Sequence, residues 1–173
     1  GKSTTLAAMI DRINAQRSGH IVNLSSVAGF APAPGAGIYA ATKAALSALS
    51  CSLAAELAPL GIRVTNVMPG SFRTEFLEPK SIRRAGAGIA GYDDMAGAAI
   101  AALLGKSLKQ IGDPECAAAA IVDIVNAEAP PVDLLLGSDA VERARVRSGY
   151  FGDEIEAWRN VTLSTDFPGR ATA

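Results

Sequence analysis

Apolar residues along this chain recur with two different periods. Leu6, Met9, Ile10 and Ile13 fall at helical spacing over residues 4 to 16, and Ser18-Gly19 stop that pattern before the run Ile21-Val22-Asn23-Leu24, which predicts a helix feeding a strand. Gly29 to Gly37 is rich in Gly, Pro and Ala and predicts a loop. Beyond it Leu46, Leu49, Leu53 and Leu57 predict a second, longer helix that Pro59 and Gly61 end. The β-branched stretch Ile62 to Met68, closed by Pro69-Gly70, predicts a strand. From Glu75 to about Gly112 the pattern weakens, giving a mobile loop with one short helix near 95 to 108. Asp113 as cap and Pro114 in the first turn predict a helix to about Glu128. Pro130-Pro131 separate it from a short buried strand, Val132 to Leu136. Past Gly137, Ser138 or Asp139 is placed to cap another helix, and a further one is expected from Asp153 to Val161 around Trp158.

This alternation of helices and strands builds an α/β fold, a parallel sheet with flanking helices, over residues 1–173 as a single domain without internal repeat or linker. Open sheets of this kind bind ligands in the crevice beyond the carboxyl ends of their strands. The residues after Leu24 and after Met68 are therefore where chemistry is expected.

Composition adds mostly exclusions. With 49% hydrophobic and 19% charged residues the chain is globular, and a net charge of -1 gives no basic footprint for a nucleic acid. Arg143, Arg145 and Arg147 fall at every second position of a helix and are expected to form a solvated surface. Cys51 and Cys116 stand far apart with no His cluster, which implies neither a disulfide framework nor a metal site, and they are expected to be buried, reduced thiols in a cytoplasmic protein. No apolar run is expected to span a membrane, and the first residues do not form a signal peptide. Because Gly1 replaces an initiator methionine, the chain is expected to begin inside a longer protein.

Three polar groups converge on the predicted crevice. Ser26 follows the first strand, Tyr39 opens the long helix thirteen residues later, and Lys43 lies one turn beyond on the same face. An ammonium beside a phenol favours the phenolate and makes a phenolic acid/base useful near neutrality, while Ser26 would hydrogen-bond the reacting substrate oxygen. Phe30, Phe72 and Phe76 flank the same crevice and are candidates for an apolar substrate wall or for core packing.

Taken together, Gly19-His20-Ile21-Val22-Asn23-Leu24-Ser25-Ser26, then Tyr39-Ala40-Ala41-Thr42-Lys43, then Asn66-Val67-Met68-Pro69-Gly70 with Thr74, closely resemble the short-chain dehydrogenase/reductase family. The resemblance implies the distal half of a Rossmann-like, doubly wound parallel sheet, three strands with their helices, without the N-terminal strands and glycine-rich turn that hold the cofactor pyrophosphate. It implies hydride transfer between NAD or NADP and a carbonyl or secondary alcohol. Tyr39 becomes the general acid/base, Lys43 its electrostatic helper and a donor to the nicotinamide ribose, and Ser26 the residue that orients the substrate. Pro69 and Gly70 shape a turn beside the nicotinamide, whose carboxamide the backbone at Phe72 and the hydroxyl of Thr74 would contact. The family's catalytic Asn would fall just before Gly1. The family also implies a homo-oligomer, a dimer or tetramer, formed through the helices carrying Leu6 to Ile13 and Ala44 to Leu57.

Two rival functions follow from other features. A non-catalytic relative that binds a nucleotide as sensor or scaffold would not need Ser26, Tyr39 and Lys43 together. Gly1-Lys2-Ser3-Thr4 matches the end of a phosphate-binding P-loop, but that loop needs an upstream strand and an earlier Gly. His20 is expected to be a polar residue at a loop edge, and Asp93-Asp94 a solvated face or cap. The chain as given, lacking the first strands of its family, is expected to fold poorly alone and to be inactive.

Overall fold

The structure, a computed structural model, describes Arg12, residues 15–78, 80–82, Gly91 and 97–167. Of the helix expected over residues 4 to 16, Arg12, Ala15 and Gln16 are helical, and the rest lies outside the described residues, as does Asp93-Asp94. Among the described residues three strands follow: β1 (Gly19–Leu24), β2 (Ile62–Pro69) and β3 (Asp133–Leu136). They make one parallel sheet in the order β1-β2-β3, with Asn23 opposite Asn66 and Val67 opposite Leu134. β2 is central and buried along nearly its whole length, which is why it reads as an almost continuous apolar run rather than an alternating one.

Parallel neighbours need a crossover, and α1 (Gly37–Leu57) supplies the one between β1 and β2. A 3-10 turn holding Pro59 follows, and Gly61 reverses the chain at φ +70°, a left-handed conformation that suits glycine. Between β2 and β3 lie α2 (Ala98–Leu104) and α3 (Pro114–Asn126), and after β3 come α4 (Ser138–Ala157) and α5 (Arg159–Leu163). α3 starts as its sequence predicts, with the Asp113 carboxylate accepting from Glu115 N–H at 2.8 Å.

The attachment of α1 to the sheet is polar. Only Ala40 and Ser50 of this helix are fully buried. Ser50 Oγ accepts from Asn23 Nδ2 at 2.9 Å and donates to Leu46 O at 2.7 Å. Ser25 Oγ donates to Lys43 O at 2.8 Å and meets Ser47 Oγ at 2.9 Å, and Ser47 reaches Asn66 Oδ1 at 3.4 Å. Asn66, fully buried on β2, donates on to Asp133 Oδ1 of β3 at 2.8 Å. Every strand of the sheet is thus tied to the seam beneath α1. The segment Gly37–Leu60 is long and apolar enough to cross a bilayer by length and composition, contrary to the expectation that no run would be, because its alanines count as apolar while its serines carry the contacts.

A second cluster joins Val27 and Ala31, just beyond β1, to Ala140 of α4 and Leu135 of β3. Arg143 Nη2 donates to Ala31 O across this contact, so Arg143 is a structural tie rather than part of a solvated surface. The expectations for α4 also change. Gly137 is its N-cap and no side chain caps it, since the Asp139 carboxylate is drawn away to Ser71 N–H. The helix then runs through Asp153 to Ala157 without a break, and the interruption falls at Trp158, where φ -107° and ψ 10° leave the helical region. Both cysteines are exposed, not buried. Cys51 Sγ nonetheless donates to the Asp133 carboxylate of β3 at 3.9 Å, and Cys116 lies in the first turn of α3.

Candidate functional site

The carboxyl ends of β1 and β2 open on one side, and the chain just beyond each carries the polar groups singled out in the sequence. After β1, Ser25 and Ser26 are buried and Val27–Gly29 form a 3-10 turn with Ser26 as its cap. Ser26 Oγ accepts from Ala28 N–H at 3.1 Å and donates to Pro69 O at 3.5 Å. The first bond fixes the oxygen, and the second is long enough for its proton to be given to a better acceptor. Gly29 brings this turn against α1: a Cβ there would stand 2.7 Å from Lys43 C and 2.8 Å from Ala44 N.

Tyr39 lies in the first turn of α1 and Lys43 one turn later. Lys43 Nζ donates to Leu24 O at 2.9 Å, which leans the ammonium over the end of β1, and stands 5.8 Å from the centroid of the Tyr39 ring. That bond uses one of three ammonium N–H groups. The Tyr39 ring is half-buried and tilted against Phe76, with centroids 5.6 Å apart. Phe76, 50% exposed, sits in the 3-10 turn Glu75–Leu77, whose cap is Thr74: its Oγ1 accepts from Phe76 N–H at 3.3 Å. Thr74 is therefore engaged locally.

The turn after β2 is held from several sides. Gly70 N–H donates to Leu136 O at 2.8 Å, Gly112 N–H to Ser71 O at 3.0 Å, and Arg73 N–H to Gly112 O at 2.9 Å. The Phe72 ring occupies the space a side chain at Gly112 would need, 2.6 Å from its would-be Cβ. Beside Phe72, a cleft of about 320 Å³ runs between α3 and Gly137.

Ser26, Tyr39, Lys43, Pro69, Gly70, Phe72 and Thr74 all lie on the segments that rim these two strand ends. Direct ties join Lys43 to β1 and Ser26 to Pro69. Phe76 belongs to the same rim through its ring contact with Tyr39. What sequence reasoning missed are the supports: Ser47 and Asn66 beneath α1, and Asp139 behind the turn. Ser and Asn at sheet-facing positions were visible as exceptions in apolar runs, but no local pattern pairs Asp139 with Ser71.

His20 is not at a loop edge but within β1. Its Nε2 lies 2.9 Å from Thr65 Oγ1, which itself donates to Pro131 O at 2.6 Å. Since the hydroxyl proton is committed to Pro131, His20 Nε2 must carry the hydrogen, leaving Nδ1 buried with no partner within hydrogen-bond distance among the described residues. Burial first, and then the Arg63 charge, hold the imidazole below its usual range, with the Val125 backbone opposing. This histidine is structural.

Comparison with known proteins gives a consistent set of relatives. A family model described as short chain dehydrogenase matches residues 2–85. Oxidoreductase BOA17 of Botryotinia fuckeliana is 31% identical over 158 residues, covering 91% of this chain and 57% of that protein. An uncharacterized NAD-dependent oxidoreductase of Mycobacterium tuberculosis is 46% identical over 88 residues, 51% of this chain and 31% of that protein. Among solved structures, a short-chain dehydrogenase from Streptomyces avermitilis matches with a TM-score of 0.81 at 38% identity, covering 93% of this chain and 58% of that one. The chain thus spans 58% or less of the length of each of these relatives.

Proposed function

Because the chain belongs to the short-chain dehydrogenase/reductase family, we propose that it carries the reaction centre of an NAD(P)-dependent oxidoreductase acting on a carbonyl or secondary alcohol, with Ser26, Tyr39 and Lys43 as the groups that do the work. The observation that carries this reading is the hydrogen bond from Lys43 Nζ to Leu24 O. It brings the helix bearing Tyr39 and the strand end bearing Ser26 to a common rim.

In this reading Tyr39 Oη gives a proton to the substrate oxygen during reduction and takes it back during oxidation. Ser26 exchanges its long bond to Pro69 for a bond to that same oxygen, holding it in place. Lys43 keeps two N–H groups beyond the one given to Leu24, enough to hold ribose hydroxyls. Pro69 and Gly70 turn the chain, and the Phe72 backbone and the Thr74 hydroxyl would face the nicotinamide carboxamide. This set, an ammonium with spare donors, a half-buried phenol and a hydroxyl with a weakly held proton, fits a nicotinamide nucleotide, which when bound supplies or accepts the hydride. Phe76 would wall the phenol against water.

The Tyr39→Phe variant of the intact protein is the test. It removes one oxygen from a half-buried ring, so turnover should fall by about 10²-fold or more while nucleotide affinity stays. Unchanged turnover would remove Tyr39 from the mechanism. A cytoplasmic homo-oligomer acting on a small molecule, without nucleic-acid or membrane partners, completes the proposal.

A further inference from the structure

Asp139, the second residue of α4, behaves unlike a helix-start carboxylate. Its Oδ2 accepts Ser71 N–H at 2.9 Å across 68 residues of sequence, and its Oδ1 is buried with no hydrogen-bond partner among the described residues. The space it occupies is kept open by two glycines. A Cβ on Gly70 would lie 2.1 Å from Oδ1, and one on Gly137, whose φ of +96° already favours glycine, 2.9 Å from it. Burying a carboxylate oxygen unpaired costs free energy that a capping Asp or a serine would not. What that cost secures is the turn after β2, held by Asp139 at Ser71 N–H and by Gly112 at Ser71 O and Arg73 N–H.

We propose that Asp139 is a positioning residue for nicotinamide nucleotide binding: it sets the path of Gly70–Phe72, so that the backbone of this turn is presented to the carboxamide in one conformation. The inference rests on the function proposed above. It assigns to the C-terminal part of the chain a direct part in shaping the cofactor site, through one side chain that never touches the cofactor.

The test uses the intact protein with Asp139→Ala and Asp139→Asn. Asn keeps an oxygen for Ser71 N–H and Ala does not. Without nucleotide, amide hydrogen exchange at Ser71 should quicken by about tenfold or more in the Ala variant and stay near wild type in the Asn variant. The dissociation constant for NADH or NADPH, read by fluorescence titration, should rise about tenfold in Ala and return to within about threefold in Asn. KM for the carbonyl substrate at saturating nucleotide should not follow. Equal nucleotide affinity in Ala and wild type, or an Asn variant as weak as Ala, overturns the assignment. Should the Ala variant not fold, Gly70→Ala, which drives a methyl group into the carboxylate, must reproduce the loss of affinity, and wild-type affinity in that variant overturns it equally. A wild-type protein that binds neither nucleotide sinks the dehydrogenase reading and the role of the turn with it, whereas binding that ignores Asp139 sinks only the role of Asp139.

Discussion

Replacing Thr65 by valine separates shape from hydrogen bonding at the centre of the sheet. Thr65 has no exposed surface, its hydroxyl donates to Pro131 O at 2.6 Å, and it accepts from His20 Nε2 at 2.9 Å. Valine fills nearly the same volume but strands both partners. A buried acceptor left unpaired costs about 1–3 kcal/mol, and His20, with Nδ1 already unpartnered, loses its one bonded nitrogen. Because Pro131 is exposed and His20 only half-buried, water repairs part of the damage, and a net loss of about 2 kcal/mol is expected. For domains of 150 to 250 residues each kcal/mol moves the thermal midpoint by about 2–4 °C, so Thr65→Val should lower it by about 4–8 °C. Thr65→Ser keeps both bonds and loses one methyl group, a cost of about 0.5–1.5 kcal/mol by analogy with Ile→Val. Scanning calorimetry of the intact protein should rank wild type above Ser and Ser above Val. A Val variant as stable as the Ser variant would refute the claim that this hydroxyl, rather than its methyl, is what the site needs.

Three further outcomes follow from the same contacts. His20 is held below its usual pKa in the folded state, so the unfolded chain binds more protons in that interval; stability should be full above about pH 6.5 and fall as pH drops from there toward the folded value. Since the chain has a single histidine, His20→Asn should flatten that part of the profile, and an unchanged slope would point to another group. Gly29→Ala would place a methyl group 2.7–2.8 Å from the backbone of Lys43 and Ala44, so it should lower the midpoint and turnover together, as measured by calorimetry and initial rates. Both cysteines should react with a thiol reagent in the native protein. Cys51 should be the slower near neutral pH, because burial and then the neighbouring Asp133 push its thiol up; mass spectrometry of singly modified protein would show the order.

The features legible in the sequence were those fixed by local chemistry. Tyr39 and Lys43 are one turn apart on any helix, Asp113-Pro114 marks a helix start by itself, and the run from Ile62 to Pro69 is a strand with its turn attached. What was not legible depends on partners distant in the chain. Asp139 looks like a helix cap until Ser71 is known to lie beside it, and Arg143 looks solvated until Ala31 O is found within its reach. Cys51 is exposed where burial is expected because α1, rich in Ala and Ser, separates its apolar and polar faces only weakly: Ala is apolar enough to be inside and small enough to be outside. The separate helix expected from Asp153 to Val161 is instead split, its first part continuing α4, in which Gly149 and Gly152 are tolerated, and the break falling at Trp158.

The polar seam under α1 bears on how accurately the proposed reaction centre can be held. A helix of alanines and serines offers no deep ridges, and Leu49 of its leucine stripe is 53% exposed, so apolar packing alone would let it turn or slide with little penalty. Directional bonds at Asn23–Ser50 and Ser25–Lys43 O, with the Ser47–Asn66 contact, specify both its rotation and its height. A slip of a single residue would displace Tyr39 and Lys43 by about 1.5 Å along the axis and turn them by about 100°. Misplacement of about 1 Å can cost a reaction about 10²-fold. The serines and asparagines that interrupt the apolar pattern are therefore the residues that locate the phenol and the ammonium. They touch neither substrate nor nucleotide, yet the chemistry assigned to Tyr39 and Lys43 depends on them.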